Sequence, residues 1–393
     1  MSNFYDKITT MKNFDDNWIK NPIENKPVKE TTVLVGISGG VDSAVCALLL
    51  KRAGYNVIGA MMKVYDGKIK TIANSCYGAD KEKEINDAKT ICEKIGIEFH
   101  LIDCAKAFDE LVFSEFKSEY KKGRTPNPCV LCNPRIKFGV FPSLAKASGI
   151  EFDKFATGHY ARIEFGKNTG KYLLKQGINQ KKDQTYFLYK LTQNKLQNIL
   201  FPLGGLEKEE VRKFAKENGL IVHDKTDSQD FYKGDYAEII DAKETPGKII
   251  HINGKVLGNH TGIFNYTIGQ RKGLKIAYPN PLYVTALNPA SNTVTVAEKE
   301  YTYSKALLAN NISWTYFDEK NPPPSTIQVY AKIRSAGQKA KCTIFLNDFN
   351  NSTFGNIKVE FNEPQNAITP GQAVVFYDND IVLGGGTIEK ALD

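Results

Sequence analysis

The chain has 393 residues with a formal net charge of +8, longer than one ordinary hydrophobic core supports, so two or three domains are expected. Its balance of charged and apolar residues is that of a globular chain. No run approaches the ~18–20 apolar residues of a membrane span, and the polar start MSNFYDKITTMKNFDDNW lacks the apolar stretch of a secretory signal. A cytoplasmic protein without a membrane partner is therefore expected. There, thiols stay reduced, and the odd count of seven cysteines does not read as a disulfide framework.

Residues 1–30 lack steady periodicity and read as a tail. The apolar run from Thr31 to Val35 predicts a buried strand, broken by the glycine-rich turn Gly36-Ile37-Ser38-Gly39-Gly40. The spacing of Ala44, Val45, Ala47, Leu48 and Leu49 predicts a helix from Asp42 to about Arg52, ended by Gly54. Strands at Val57–Met62 and Glu98–Ile102 flank a helix at Asn86–Ile95, and another strand runs from Lys154 to Thr157. Strands alternating with helices predict a parallel α/β sheet. Leu206–Gly219 reads as a helix. After about residue 235 glycines become frequent and apolar runs shorten. From about 300 onward strand-length alternations dominate, such as Ile327–Ile333, Asn356–Phe361 and Ala373–Tyr377 with a hairpin turn at Asp378-Asn379-Asp380. The expectation is a parallel α/β domain at 31–235, a small central domain at 236–297 and a C-terminal β-barrel at 298–393.

The segment Gly36-Ile37-Ser38-Gly39-Gly40-Val41-Asp42-Ser43 sits between strand and helix. It has no Walker A lysine and is not G-x-G-x-x-G. Its glycines let the backbone approach an anion, while Ser38, Ser43 and the helix N-terminus offer donors. The segment resembles the SGGxDS signature of the PP-loop ATP pyrophosphatases, which implies a PP-loop domain that transfers AMP to a carbonyl oxygen and so makes it a leaving group. Asp42 is either a helix cap or a ligand for Mg²⁺ on pyrophosphate.

A second motif, Gly123-Arg124-Thr125-Pro126-Asn127-Pro128-Cys129-Val130-Leu131-Cys132-Asn133, stiffens a C-x-x-C with two prolines. Around it lie Lys117, Lys121, Lys122, Arg124, Arg135 and Lys137. Lys175, Lys181 and Lys182 form another basic cluster, and Arg271, Lys272 and Lys275 a third. Such side chains suit phosphate contacts with RNA, although each cluster alone is also an ordinary solvated surface. Asn127 is a candidate for a uracil edge, and Tyr160 and Tyr186 are candidates for base stacking or for core packing. His159, at a strand end, reads as catalytic or as a hydrogen-bonded structural group.

Together with Ala156-Thr157-Gly158-His159-Tyr160-Ala161-Arg162, Lys182-Asp183-Gln184-Thr185-Tyr186-Phe187-Leu188, Phe201-Pro202-Leu203-Gly204, Tyr266-Thr267-Ile268-Gly269-Gln270-Arg271-Lys272-Gly273 and Leu383-Gly384-Gly385-Gly386, these motifs resemble the MnmA family of bacterial tRNA-specific 2-thiouridylases from about residue 31 to the end. The resemblance implies ATP with Mg²⁺ at Gly36–Ser43, with Met62 and Gly158 near the adenosine. It implies Cys132 as catalytic nucleophile, and tRNA contacts from Lys182, Asp183, Gln184, Arg334 and Ser335. The substrate would be the wobble uridine of tRNAs for Lys, Glu and Gln, and a separate donor would supply sulfur.

Two departures stand out. The family commonly has Asp where this chain has Cys129. Its second cysteine, the persulfide carrier, is missing from Asp227-Ser228-Gln229-Asp230-Phe231-Tyr232-Lys233-Gly234-Asp235-Tyr236. Three readings stay open: Cys76, Cys129 and Cys132 holding a [4Fe–4S] cluster with one open iron, a redox dithiol with Cys129 carrying persulfide, or a structural zinc site. Cys46, Cys92, Cys104 and Cys342 read as small buried apolar residues.

Overall fold

The computed structural model describes residues 26–65, 81–220, 240, 243–346 and 356–392. Cys76 and the 227–236 segment lie outside them.

Among the described residues, five strands form the N-terminal sheet, all parallel, in the order β3-β2-β1-β4-β7. They are β1 (Thr32–Gly36), β2 (Asn56–Lys63), β3 (Glu98–Asp103), β4 (Lys154–Ala156) and β7 (Ile199–Leu200). Val33, Leu34 and Val35 of the central strand are wholly buried, as expected where helices cover both faces. Helix α1 (Val41–Arg52) follows β1. Its Ala44, Val45, Cys46, Ala47 and Leu50 are all inaccessible, because α1 is enclosed by the sheet and two other helices rather than lying on the surface. Helix α2 runs Lys81–Ile95, starting five residues before the periodicity predicts. Helix α3 is the short Pro128–Cys132, and α4 is Lys208–Glu217, started by a capping box between Glu207 and Glu210.

The central domain holds β8 (Gly247–His251), β9 (Val256–His260), β10 (Tyr283–Asn288) and β11 (Thr293–Ala297) in the order β10-β11-β8-β9. The C-terminal strands β12 (Tyr303–Trp314), β13 (Thr326–Lys332), β14 (Ala340–Leu346), β15 (Ile357–Asn366), β16 (Ala373–Asp378) and β17 (Ile381–Leu392) run in the order β12-β15-β14-β13-β16-β17. A further pairing of β12 with β17 closes this sheet into a barrel, which removes its edges. The β16–β17 hairpin turns where expected, with Asn379 at φ 50°.

One feature escapes the sequence pattern. The hairpin of β5 (Ala161–Gly166) and β6 (Lys171–Gln176) leaves the first domain and joins the barrel, with Lys175 paired to Ile381. Its side chains secure the same junction: Arg162 reaches Asp380 at 2.6 Å and Lys175 reaches Asp380 at 3.4 Å. No helix among the described residues is long and apolar enough to cross a membrane.

Candidate active site at the strand ends

The parallel register fixes the first half of the site. Gly36 ends β1 opposite Ala60 of β2, and Val35 pairs with Ala156 of β4. The glycine-rich turn, Met62 and Gly158 therefore open together at the carboxyl edge of three adjacent strands, where open α/β sheets place their ligands. Gly39 adopts φ +71°, and a Cβ there would also meet Glu84 O at 3.1 Å. Gly40 precedes α1 with no side chain capping it, so the first-turn N–H groups face the loop as an anion site would require. Ser43 Oγ donates to Gly40 O at 3.1 Å and accepts from Ser38 N at 3.1 Å, holding the turn in shape.

Asp42 meets two side chains from outside its own helix. Its carboxylate accepts from Lys208 Nζ at 2.7 and 2.8 Å and from the Tyr160 hydroxyl at 2.9 Å. It does not cap the helix, for which no side-chain cap bond is formed. The Lys208 ammonium neutralises a carboxylate that would otherwise repel an incoming triphosphate. Tyr160 is thereby core, at 2 % exposure, as is Tyr186, whose hydroxyl donates to Ala373 O at 2.8 Å. Neither tyrosine presents a face on which a base could stack. His159 is buried, its Nδ1 2.7 Å from Thr157 Oγ1, among the rings of Phe138 and Phe201. Burial, then the nearby Lys137, pushes its pKa well below the ordinary value, which favours the neutral ring.

The second half is α3. Asn127 caps it, with Oδ1 accepting from Cys129 N at 3.0 Å, which is the group proposed from sequence for a uracil edge. Cys129 and Cys132, three apart on a helix, share one face, and both are half-buried. Asn133 ties the helix down through Nδ2 to Cys129 O at 2.9 Å. Cys104, just beyond β3, is nearly inaccessible; burial first, then Asp103 and Cys132, pushes its thiol up to about 12. The sequence signals nothing of this neighbour beneath Cys132. Among the described residues no group of three His, Cys, Asp or Glu side chains is arranged to hold a metal.

The segment Lys182-Asp183-Gln184 leads into the turn Thr185–Phe187, which packs against α3. Asp183 accepts from Gln176 Nε2 and Thr185 Oγ1, each at 2.9 Å, and Gln184 Oε1 accepts from Tyr160 N at 2.9 Å. Two of the three expected tRNA contacts are thus committed internally. Arg334 is exposed and Ser335 half-exposed in the turn between β13 and β14. The basic ring around the C-x-x-C is largely paired: Arg124 with Glu119 and Glu389, Lys122 with Glu119, Arg135 with Glu115, and Lys117 over the Phe113 ring. Lys175 is paired with Glu164 and Asp380. Arg271, Lys272 and Lys275 are exposed, and Arg271 and Lys275 line a cleft of ≈ 490 Å³ that shares no residue with the phosphate loop or α3.

Three family profiles cover the chain in sequence: a tRNA methyl transferase HUP domain at residues 31–232, a tRNA methyl transferase PRC-barrel domain at 237–298 and an aminomethyltransferase beta-barrel domain at 304–388. The chain is 46 % identical over 365 residues to the tRNA-specific 2-thiouridylase MnmA of Endomicrobium trichonymphae, covering 91 % of this chain and 99 % of that protein. The chain belongs to the MnmA family. The MnmA proteins of Clostridioides difficile and Carboxydothermus hydrogenoformans are 43 % and 42 % identical, with 92 % of this chain and 98 % of each relative covered. Among solved structures, the U34-tRNA thiolase NcsA of Methanococcus maripaludis matches with a TM-score of 0.33 and 19 % identity, over 54 % of this chain and 64 % of that one. The family's ATP-using PP-loop domain corresponds to the first of the three profiles, residues 31–232.

Proposed function

We propose that this chain is a cytoplasmic tRNA 2-thiouridylase acting on the wobble uridine of tRNAs for Lys, Glu and Gln. The observation that carries the reading is the pairing of an anion-accepting SGGVDS turn with a two-thiol helix in one α/β domain. ATP with Mg²⁺ is held at Gly36–Ser43, with Met62 and Gly158 beside the adenosine. Uridine O2 attacks the α-phosphate and pyrophosphate leaves. Sulfur then adds to C2, and AMP departs with the former O2. Methyl transfer, which the profile descriptions name, has no need of a phosphate loop of this type.

For the sulfur source, the half-buried C-x-x-C supports a dithiol. A persulfide on one cysteine adds its terminal sulfur to C2, and the other thiolate breaks the S–S bond. This closes a Cys129–Cys132 disulfide that an external thiol reduces. The second reading places a [4Fe–4S] cluster on Cys76, Cys129 and Cys132; such a cluster would bind exogenous sulfide at an iron that no cysteine holds. Lys182, Arg334, Ser335 and the Arg271–Lys275 rim supply tRNA contacts, while Asp183, Gln184 and Asn127 shape the segments that carry the site. The domains divide near residues 235 and 297.

The test is ATP-dependent formation of 2-thiouridine on unmodified tRNA, with iron and sulfide analysis of anaerobically purified wild type and Cys76→Ala. Absence of 2-thiouridine with every sulfur donor tried would reject the reading. About four irons per chain, lost in Cys76→Ala, would select the cluster. No iron in either protein, with thiolation intact, would select the dithiol.

A further inference from the structure

The strongest unexplained feature is a clasp between the barrel and the residue four positions before the first thiol of α3. Thr125 N donates to Pro370 O at 2.9 Å, and Gln372 Nε2 donates to Thr125 O at 2.8 Å. Both backbone polar groups of one residue are therefore taken by one barrel loop. Gly371, between them, has φ +91°, and a Cβ there would lie 2.9 Å from Thr125 N. The approach requires glycine on both counts. The loop is itself fastened to β17, with Gly371 N donating to Ile388 O at 2.9 Å and Ile388 N to Gln372 O at 2.8 Å. Arg124 adds a second tie: its guanidinium donates to Ile388 O at 3.0 Å and pairs with Glu389 at 2.9 Å and Glu119 at 2.6 Å.

What makes this more than domain packing is the stiffness of the chain between clasp and thiols. Pro126 and Pro128 lock their own φ and hold Thr125 and Asn127 extended; Asn127 has φ −106° and ψ 109°. Asn127 then caps α3 on Cys129 N. A displacement at Thr125 cannot be absorbed by rotation in this segment, so it moves α3 as a body. We propose that Gln372, with Gly371, is a positioning residue for the sulfur-transfer step. The barrel sets the place of Cys129 and Cys132 through Thr125, without touching either substrate. The inference rests on the thiouridylase reading and adds a role for the barrel in its second half-reaction.

The experiment uses the full chain with Gln372→Met, which keeps the side-chain bulk and removes the donor, and Gly371→Ala, which forces the loop off Thr125. Three quantities are read: single-turnover, tRNA-dependent pyrophosphate release; 2-thiouridine formation with kcat and KM for tRNA separated; and the pH dependence of iodoacetamide modification at Cys129 and Cys132. The expected result is a fall of about five- to tenfold in thiolation kcat, with pyrophosphate release and KM within about twofold and a displaced alkylation profile. Wild-type thiolation and alkylation in both variants would overturn the inference. So would parallel loss of both half-reactions with a lowered melting temperature, the mark of a merely structural contact. If wild type makes no 2-thiouridine, the functional reading fails instead, and the alkylation profiles still decide whether the clasp sets the thiols.

Discussion

Gly158 lies so close to Asp42 that a Cβ on it would sit 2.8 Å from the Asp42 carbonyl carbon. The loop after β4 is thereby pressed onto the first turn of α1, and the two segments proposed to hold ATP share one backbone contact. Gly158→Ala must push them apart. Overpacking of about 1–2 kcal/mol corresponds to an ATP affinity lower by roughly tenfold. Isothermal titration with a non-hydrolysable ATP analogue checks it, and an unchanged Kd would refute the contact's importance.

Lys208 and Asp42 form a pair whose partners are 7 % and 30 % exposed. Removing the cation leaves a largely enclosed carboxylate with the Tyr160 hydroxyl. Lys208→Met is expected to lower unfolding stability by about 1–3 kcal/mol, allowing for the solvent on the Asp42 side. In a double-mutant cycle with Asp42→Asn, measured by urea unfolding, the combined loss should be clearly less than the sum. Strict additivity would mean that the two side chains do not interact.

His159 gives stability a pH dependence of defined sign. Burial holds its folded pKa well below the ordinary histidine value, so below about 6.5 the unfolded chain binds the extra proton and the native state does not. Stability contributed by the neutral ring is complete above that value and is lost as pH falls through it toward the folded pKa, by at most about 1.4 kcal/mol per pH unit. The His159→Gln variant, which retains an acceptor for Thr157, should show a shallower decline in urea midpoint between pH 7 and pH 5. Equal slopes in the two proteins would show that some other group titrates.

Burial separates the described cysteines into two classes. It pushes Cys92, Cys104 and Cys342 up to about 12 and raises Cys46 further, whereas Cys129 and Cys132 are half-buried. Brief iodoacetamide treatment of the native protein near neutral pH should modify Cys129 and Cys132 and leave the other four intact, as read by peptide mass mapping. Rapid labelling of Cys104 would contradict its enclosed position beneath Cys132.

The β1–glycine turn–α1 unit and the parallel sheet were legible because their signals are local, apolar periodicity and glycines at a turn, whereas the helix that carries the C-x-x-C and its Asn127 cap were not read from the sequence. Even so, the local signal misplaced the start of α2, since Lys81 to Ile85 carry little periodic apolar character of their own. The basic residues around Cys129 illustrate a deeper limit. Their charge is visible in the sequence, but Glu389 lies 265 positions from Arg124, and only folding makes it that side chain's partner.

The sequence by itself carried the SGGVDS turn and the C-x-x-C motif, because each is marked by residue type and short spacing. It also determined the family, through several motifs in order along nearly the whole chain. Tertiary structure alone decided that Asp42 is neutralised by Lys208, 166 residues away, that Cys104 lies beneath Cys132, and that β5 and β6 leave the first domain to join the barrel. It alone set Gln372 on Thr125, 247 residues away. The physical reason is the same in each case. A carboxylate, a thiol or a backbone amide accepts many partners of equal chemistry, and which one it meets depends on how sheet, hairpin and barrel pack, which no short stretch of sequence encodes.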